Sequence, residues 1–403
     1  MSAIPASVIV VSRHRSAALQ RCLVGLTQQD HPNFEVIVVA DPDGIATSGA
    51  ISAKLVPFDQ PNISAARNAG LAVASGAVVA FIDDDAVAEP SWLSRLVEVF
   101  ENLAVVAATG FVRGRNGISY QWRAAEVDNY GHDHPFAVDG PTLRSGTRLR
   151  AVKTQGTNCA FRRDTLLAIG GFDPAFRFFL DEADVNLRMA DLGLTAVLPK
   201  AQVHHGYEAS ARRRADRVPL SLHEIAASTA VFLCKHAADV DIEGEWQSLL
   251  HRETDRVAKH RKARRINRAQ AAALLASLAA GWLDGLERAF GNIAAILATD
   301  ADLVPIESTG PRRGQVLTGR SWQRKKLMYK AMAAVAAGQI VTVICLSATA
   351  RAHHVQFQKQ GYWLQAGGLF GRSERDGRRL QFSRFSNRIT EETARISPFR
   401  PVT

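Results

Sequence analysis

The first half of the chain alternates short apolar runs with segments in which apolar residues recur at helical spacing. Ser7 to Val11 and Phe34 to Val39 are mostly apolar, and the segment from Ala17 to Gln29 between them is amphipathic. A strand, a helix and a strand within about 35 residues form the right-handed βαβ unit of α/β proteins. The pattern therefore predicts an α/β fold from the start of the chain.

The stretch from Pro61 to Pro90 contains the clearest strand. Six apolar residues without alternation, Ala77 to Ile82, are followed directly by Asp83, Asp84 and Asp85. Such a run is typical of a strand buried on both faces, as in a parallel sheet covered by helices. Ligands of these sheets bind beyond the carboxyl ends of the strands, where the three carboxylates fall.

A second acidic cluster follows further along the chain. Asp181, Asp184 and Arg188 are spaced i, i+3, i+7, which predicts a helix with acidic residues at its N-terminus. The segment from Gly114 to Arg150 has no clear period, and a long irregular segment inside a compact domain is more often functional than slack. The other elements predicted for this half are strands at Lys54–Phe58, Val105–Val112 and Thr195–Leu198, and a helix at Ser91–Glu101.

The second half has a different pattern. Leu220 to Ala237 and Gln270 to Leu297 predict helices, with a basic run from His251 to Arg268 between them. The twenty uncharged residues from Ala331 to Ala350 have the length of a membrane span. Eight of them are alanine or glycine, which favours instead a helix followed by a buried strand at Ile340–Ser347.

The pattern divides the chain into three predicted domains. Residues 1–215 form the α/β domain and residues 216–338 a helical, basic extension. Residues 339–403, where aromatic and polar residues alternate between glycine turns, form a small β-rich appendage. A chain of 403 residues with 47% apolar residues can supply cores for two or three domains.

Cysteines and charge indicate the compartment. The four cysteines are far apart in sequence and lack metal-ligand spacing, which suits free thiols in a reducing cytoplasm. The N-terminus lacks the segments of a signal peptide. Residues 1–205 carry 18 Lys and Arg against 21 Asp and Glu, whereas the remainder carries 31 against 18. The excess positive charge therefore lies in the second half of the chain. Such an excess is informative about what the protein binds, and not about its fold.

The two acidic clusters suggest two chemical roles. Three adjacent carboxylates repel one another, and a divalent cation with oxygen ligands, such as Mg²⁺ or Mn²⁺ holding a diphosphate, offsets the repulsion. The alternative is a solvated acidic turn that closes a buried strand. A separate carboxylate can accept a proton. Transfer of a sugar from a nucleoside diphosphate needs both roles.

Five motifs in order carry a resemblance to a known family. They are SVIVVSRHR, EVIVVADPDG, NISAARNAGLAVASGAVVAFIDDDA, GTNCAFRRDTLLAIGGFDPAFRFFLDEADVNLR and PKAQVHH. From about Ser7 to Tyr207 the chain resembles the family 2 glycosyltransferases of bacterial polysaccharide and cell-envelope synthesis. The resemblance implies the GT-A fold, a Rossmann-like nucleotide-sugar domain. It also implies inverting, metal-dependent transfer of a sugar to a hydroxyl of a saccharide or lipid-linked acceptor.

The resemblance implies a donor pocket after the first two strands. Ser12 and Arg13 line the nucleotide pocket, and Asp41 recognises the base. The turn ADPDG departs from the Asp-Asp-Gly-Ser-like turn usual in the family, so Asp43 stays open as the alternative to Asp41. Arg67, in an Ala-Arg-Asn motif, faces the nucleotide-sugar, or pairs with a carboxylate on the surface of its helix.

The acidic triplet takes the place of the family's DxD-type motif. The resemblance implies that Asp83 and Asp84 lie near the ribose and the sugar and that Asp85 binds the metal, Mg²⁺ or Mn²⁺. His204 or His205 completes the metal site, and the other histidine is structural.

The second cluster takes the place of the family's Glu-Asp pair, with the order of the acids reversed. The second acid is the expected general base, which is Glu182, with Asp181 in reserve. Thr157 and Asn158 shape the acceptor side together with Asp184. Asp181 and Asp184 have a structural alternative, because an acid at a helix N-terminus also stabilises the helix dipole.

Two other functions compete with this interpretation. The strand followed by Asp83-Asp84-Asp85 superficially fits a haloacid-dehalogenase-like phosphatase, but the later Gly-Asp loop of that family is absent from the sequence. A non-catalytic module that binds nucleotide-sugars or glycans is the second. A dehydrogenase is poorly supported, because no G-x-G-x-x-G follows the first strand.

The basic run from His251 to Arg268 has three interpretations. A solvated helical face is the commonest origin of such a run. Contact with anionic lipid at the inner face of the cell membrane suits a lipid-linked acceptor, and we favour it. Nucleic acid is disfavoured, because aromatic residues are not interleaved with these charges.

Overall fold

The computed structural model describes residues 3–49, 51–206, 212–214, 216–237, 239–291, 293–299, 301–306, 310 and 312–402. The strands of its first half are β1 (Ala6–Ser12), β2 (Phe34–Ala40), β3 (Lys54–Pro57), β4 (Val78–Asp83), β5 (Ala86–Ala88), β6 (Val105–Arg113), β7 (Tyr120–Trp122), β8 (Ala125–Asp128), β9 (Asp133–Pro135), β10 (Thr142–Arg144), β11 (Arg150–Val152), β12 (Cys159–Arg162) and β13 (Leu194–His205). The helices are α1 (Ser16–Leu26), α2 (Pro42–Ser48), α3 (Ile63–Ala72), α4 (Trp92–Glu98), α5 (Arg163–Ala168) and α6 (Asp181–Met189).

Ten of these strands form one mixed sheet. Its order is β10-β13-β6-β12-β4-β1-β2-β3, with β5 paired to β13 and β7 to β6. On one side, β3, β2, β1 and β4 are parallel neighbours. Helices α1 and α4 cover one face of this part of the sheet, and α3 and α5 cover the other. Strands β1, β2 and β4 are buried on both faces, which explains why they are largely apolar runs, whereas β3 at the edge is only partly buried.

The register of the parallel strands brings their carboxyl ends to one edge. Val10 lies opposite Ile82 and Val11 lies opposite Asp83, so the loop after β1 meets the acidic triplet after β4. Ser12 lies opposite Ala40 at the end of β2. The predicted site is therefore at the edge where α/β proteins bind ligands.

The other side of the sheet is not parallel throughout. Strand β12 runs antiparallel to both of its neighbours, β4 and β6, so β4 has a parallel partner on one side only. Thr195–Leu198, predicted as a separate strand, is the first part of β13, which continues past an irregularity between Leu198 and Gln202. Beyond it β13 pairs antiparallel with β5, with His205 opposite Ala86.

The second half of the structure has a helical part and a second sheet. Its helices are α7 (His223–His236), α8 (Ile242–Lys262), α9 (Arg268–Glu287), α10 (Arg324–Ala336) and α11 (Phe385–Ile396). Its strands are β14 (Gly314–Arg320), β15 (Ile340–Ser347), β16 (His354–Phe357) and β17 (Trp363–Gly368), in the order β14-β15-β17-β16. The predicted α/β class with a helical and a β-rich C-terminal part is confirmed.

Several element predictions need correction. The helix predicted at Gln270–Leu297 ends at Glu287, and most of the basic run from His251 onward belongs to α8 itself. Helix α2 was not predicted, and the irregular segment after Gly114 contains short strands. The predicted β-rich tail ends in a helix, α11. The predicted domain boundary at residue 215 lies outside the described residues.

The strand predicted at Ile340–Ser347 is confirmed as the buried strand β15. Among the described helices, α9 alone is long and apolar enough to cross a membrane. Of its most apolar stretch of 18 residues, 33% is buried in the protein. Leu274, Leu278 and Trp282 of α9 pack in a core with residues of α7 and α8. A helix of this kind is also found in the cores of soluble proteins.

Candidate active site

The end of β4 and the end of β13 bring an aspartate pair and a histidine together. His205 Nε2 lies 3.1 Å from Asp85 Oδ1 and 3.9 Å from Asp83 Oδ2. One ligand atom from each of the three residues lies within 4.8 Å of the other two. Two carboxylates and an imidazole form a donor set that suits Mn²⁺ and tolerates Mg²⁺.

The hydrogen bonds of His205 leave its Nε2 directed at the aspartates. Its Nδ1 lies 2.9 Å from the side-chain oxygen of Gln121, which can only accept, so Nδ1 carries the proton of the neutral ring. The ring also packs against Trp122, with 5.6 Å between centroids. Burial lowers the pKa of His205 most, but Asp85 and Asp83 outweigh it and leave the pKa raised. The raised pKa means that the two aspartates favour a positive charge at Nε2, and a bound cation would supply that charge in place of a second proton on the ring.

Asp84 points in a different direction from its two neighbours. Its carboxylate accepts a hydrogen bond of 2.6 Å from the Ser12 hydroxyl and forms an ion pair with Arg15. Burial raises the pKa of Asp84 to about 7, with Arg15 as the main opposing influence. Asp84 thus ties the loop after β1 to the end of β4, and Arg15 also comes within 3.5 Å of Asp85.

The loop after β1 meets the end of β2 at the predicted nucleotide pocket. Asp41 accepts a hydrogen bond of 2.8 Å from the backbone N–H of His14. Arg13 Nε donates to Asp59 Oδ1 at 2.8 Å, and the His14 ring lies 3.3 Å from the same oxygen. His14 has a φ of 56°, in the left-handed region, which turns the loop so that its ring meets both acids.

Arg67 joins the two acidic clusters. Its guanidinium is buried, forms an ion pair with Asp181, and lies 3.8 Å from Asp83 Oδ1. It also donates to the carbonyl of Gly156 and lies over the ring of Phe172, 5.0 Å from the centroid. One buried cation in contact with both clusters shows that they border the same site.

The two acids at the start of α6 have different surroundings. The residues before the helix, Phe179 and Leu180, both have positive φ, at 77° and 62°. Asp181 is buried against Arg67, and burial raises its pKa while Arg67 opposes and Glu182 adds to the rise. Glu182 is only half-buried. Because Arg67 already engages Asp181, Glu182 is the carboxylate better placed to meet a ligand.

Three residues predicted for the acceptor side are buried within the protein. Asp184 Oδ1 contacts Lys235 and His236 of α7, at 2.7 and 2.9 Å, and so joins α6 to α7. The side chain of Asn158 accepts from Trp92 Nε1 and donates to two carbonyls of the sheet. The hydroxyl of Thr157 is buried without a hydrogen-bond partner among the described residues.

His204 faces the opposite side of β13 from His205. Its Nε2 lies 2.7 Å from Glu89 Oε1, and its ring packs against Trp363 of β17. Burial lowers the pKa of His204 to about 4 although Glu89 favours the charged form, so the ring is neutral near pH 7. The structure therefore brings His205, and not His204, to the acidic triplet.

Glu89 receives a second partner from far along the chain. Arg400 Nε and Nη2 donate to its two carboxylate oxygens at 2.6 and 2.8 Å, a bidentate pair buried on both sides. The Arg400 guanidinium also lies 3.8 Å from the centroid of the Trp363 ring. The short strand β5, which begins just after Asp85, is thus held at its other end by a residue 311 positions later.

The Arg400→Gln variant tests this pair. Removing one partner of a buried pair leaves the other charge uncompensated, so we expect the free energy of unfolding at pH 7 to fall by about 3–5 kcal/mol. Glu89 has a pKa below its ordinary value of 4.5, because Arg400 and His204 outweigh its burial. The contribution is therefore present above pH 4.5 and fades as the pH falls, and the difference between the two proteins should shrink in acid.

The measurement is urea unfolding at pH 7 and at lower pH. Arg148→Gln is the control, because Arg148 pairs with Asp191 on the surface, where the side chains are 68% and 46% exposed. A surface pair contributes about 0–1 kcal/mol. Equal losses in the two variants would contradict the role assigned to the buried pair.

Comparison with known proteins assigns the α/β part of the chain. Residues 7–169 match the family model described as glycosyl transferase family 2, and this part of the chain belongs to that family. It is a glycosyltransferase domain.

Two curated relatives are similar to this part of the chain. One is the glucosyl-dolichyl phosphate glucuronosyltransferase of Haloferax volcanii, 34% identical over 175 residues, which cover 41% of this chain and 54% of that protein. The other is an uncharacterized glycosyltransferase of Nostoc sp., 35% identical over 184 residues, which cover 42% and 54%. The chain thus spans about half the length of these curated relatives.

Two solved structures are also similar. The mannosyltransferase of Pyrobaculum calidifontis in complex with GDP-Man and Mn²⁺ has a TM-score of 0.41 and 17% identity, covering 71% of this chain and 88% of that one. TarS 1-349 of S. aureus in complex with UDP-GlcNAc has a TM-score of 0.41 and 18% identity, covering 62% and 71%.

The structure also shows residues that the sequence analysis did not assign. They contact the predicted site residues or support them, and they are Gln121, Trp122, His14, Arg15, Asp59, Glu89 and Arg400. The signal for His14 and Arg15 was present, because both lie in the loop whose neighbours Ser12 and Arg13 were assigned. No comparable sequence signal points to Gln121 or Arg400.

Proposed function

We propose that the protein transfers a sugar from a nucleoside-diphosphate sugar to a hydroxyl group of a saccharide or lipid-linked acceptor. Transfer inverts the anomeric carbon and depends on Mg²⁺ or Mn²⁺. The contact of Arg67 with both Asp83 and Asp181 carries the proposal. Asp83 belongs to the acids proposed to hold the donor and Asp181 to those proposed to meet the acceptor, so the contact supports a single shared site.

The donor occupies the carboxyl ends of β1, β2 and β4. Asp41, with His14 and Arg13 beside it, recognises the base, and Ser12 and Asp84 fix the loop that contacts the nucleotide. Asp83, Asp85 and His205 would hold the divalent cation, which would supply positive charge against the diphosphate as it leaves.

Glu182 acts as the general base of a single displacement. The acceptor oxygen gives its proton to the Glu182 carboxylate while it forms a bond to the anomeric carbon. The bond from that carbon to the diphosphate oxygen breaks, and its electron pair leaves with the diphosphate. Attack from the opposite side inverts the configuration. Arg67 keeps Asp181 engaged, so that the proton goes to Glu182.

The acceptor approaches through a cleft beside the cation site. The cleft has a volume of about 370 Å³ and is lined by Gly114, Arg115, Asn116, Ser119, Tyr120, Gln121 and Arg217. Gln121 is the same residue that orients His205. The cleft replaces Thr157, Asn158 and Asp184 as the proposed acceptor side, because those three are buried within the protein.

The protein works in the cytoplasm, at the inner face of the cell membrane, where lipid-linked acceptors are found. Four cysteines without a disulfide and an excess of basic residues in the second half support this location.

A panel of UDP-, GDP- and TDP-sugars tests the proposal by thermal shift, with Mn²⁺ or with EDTA. Ligand at about 100 times its Kd stabilises the native state by about 2.7 kcal/mol, so the correct donor raises the Tm only with the metal. The anomeric configuration of the product, read by NMR, then tests inversion. Retention would contradict the mechanism. Metal-dependent binding without transfer to any acceptor would favour the binding module, and release of phosphate from simple esters the phosphatase.

A further inference from the structure

Helix α10 presents an unusual outer face. Trp322, in the turn before the helix, is 75% exposed and Tyr329 is 72% exposed. On the inner side Leu327 and Ala331 are buried in a core with β15 and β17. The helix is therefore fixed to the second sheet, and its exposed aromatic side chains are not a sign of poor packing.

Exposed residues of α10 and of the turn before it form one stripe. Tyr329, Ala333 and Ala336 succeed one another at intervals of four and three residues, which places them along one side of α10, and Trp322 adds a second exposed ring in the turn where the helix begins. These residues are exposed, so the centre of the stripe is apolar and aromatic. We call this surface, with the lysines that flank it, the α10 face.

Positive charge borders the stripe. Lys325, Lys326 and Lys330 are exposed beside the aromatic residues, and no acidic residue occurs anywhere in the sequence from 308 to 373. In the described part of the chain, no ion pair engages any of the three lysines. The face is therefore positively charged, and no acidic residue of its own helix offsets that charge.

We infer that the α10 face docks on an anionic lipid bilayer. Tryptophan and tyrosine are favoured at the level of lipid headgroups, where the ring is in an apolar layer and the polar tip in a wet one. Lysine can lay its alkyl stem along apolar surface while its ammonium meets lipid phosphate. A helix with an aromatic centre and lysine flanks lies in the plane of such an interface.

Helix α8, which carries most of the basic run singled out in the sequence, fits a bilayer less well. Arg261, Lys262 and Arg265, at its end and just after it, are exposed, but α8 has no exposed large apolar residue among the described positions. It also carries acids, Glu243 and Glu245 among them. The charges of α8 therefore suit a solvated face, and we assign the membrane contact to α10 instead of α8.

Single-stranded nucleic acid also binds basic surfaces with aromatic residues. Such sites combine a groove that follows the phosphate backbone with rings on which bases stack. The α10 face lies on the outside of a helix, and its centre continues as alanine towards Ala336. These features favour a lipid surface.

The biological role of this docking rests on the proposed function, because docking would bring the glycosyltransferase domain to a lipid-linked acceptor. Lipid binding itself is measured without any sugar transfer. The full-length protein is sedimented with vesicles of phosphatidylcholine alone, or of equal parts of phosphatidylcholine and phosphatidylglycerol. We expect binding to the anionic vesicles only.

Two variants test the face. Because each lysine near an anionic surface contributes roughly a fivefold gain in partitioning, Lys325→Gln/Lys326→Gln/Lys330→Gln should lower partitioning by about a hundredfold. Trp322→Ser/Tyr329→Ser should lower it by on the order of tenfold with the charge unchanged. All five side chains are exposed, so the thermal unfolding of both variants should match that of the wild type.

The matched control is Arg261→Gln/Lys262→Gln/Arg265→Gln, which removes the same charge near the end of α8. We expect it to keep most of the binding. An equal loss in this control, equal binding to neutral vesicles, or no vesicle binding would overturn the inference. Tight binding of single-stranded RNA that the α10 variants abolish would reassign the face. Donor binding with Mn²⁺, without vesicles, should be the same in every variant. This measurement distinguishes a failure of the docking inference from a failure of the proposed function.

Discussion

The Glu182→Gln variant should bind the donor with nearly normal affinity and turn it over about 10²–10⁴ times more slowly. Glutamine keeps the shape of the side chain but cannot take the acceptor proton. The acceptor would then attack as a neutral alcohol, and the proton would have to leave through water. The measurement is the rate of diphosphate release at saturating donor and acceptor, together with donor affinity from calorimetry.

The neighbouring acid provides the contrast. Asp181→Asn removes the charged partner nearest to buried Arg67, so we expect a lower Tm and weaker donor binding, because the guanidinium then keeps only the more distant carboxylate of Asp83, at 3.8 Å, among its ion pairs in the described part of the chain. Glu101→Gln, on the exposed turn after α4, serves as the neutral control. Normal turnover in Glu182→Gln with a large loss of turnover in a stably folded Asp181→Asn would exchange the two assignments.

The Asp85→Asn variant should lose the dependence of nucleotide binding on the metal. The carboxylate of Asp85 is almost fully buried and lies against His205 Nε2. Its replacement by an amide removes one of the charges that would offset the cation. Since the loss of outer-shell groups alone costs 10–100-fold in metal affinity, we expect a loss of about a hundredfold or more for this direct ligand. Mn²⁺ binding followed by electron paramagnetic resonance measures it.

Asp84→Asn is the matched control for that experiment. Asp84 neighbours Asp85 but bonds to Ser12 and Arg15, away from His205. We expect it to weaken nucleotide binding through the loop after β1 and to leave Mn²⁺ affinity within a few-fold of normal. Equal Mn²⁺ affinity in wild type and Asp85→Asn would remove Asp85 from the cation site.

The parallel half of the sheet could be predicted from the sequence because its pattern is local. The run from Ala77 to Ile82 is apolar without alternation, and its burial on both faces is the physical cause of that pattern. The place of the acids was predictable as well, because the carboxyl ends of parallel strands are where α/β proteins bind ligands. Helix α2, seven residues long, offered too few turns for a periodic signal.

The choice between His204 and His205 could not be made from the sequence. Neighbouring residues of a strand face opposite sides, and which side faces Asp85 depends on the register of β13 with β5. That register follows the irregularity after Leu198, which has no clear sequence signature. The predicted acceptor residues show the same limit. Asn158 is polar because it bonds to sheet carbonyls, and not because a ligand needs it.

The pairing of Glu89 with Arg400 has a consequence for biosynthesis. At 5–20 residues per second, a ribosome needs about 15–60 s to travel the 311 positions between them. During that time the nascent catalytic sheet carries a carboxylate whose counter-ion does not yet exist. We expect the emerging domain to stay open to proteases and chaperones until then. An excised fragment of residues 7–169 would remain in that immature state permanently.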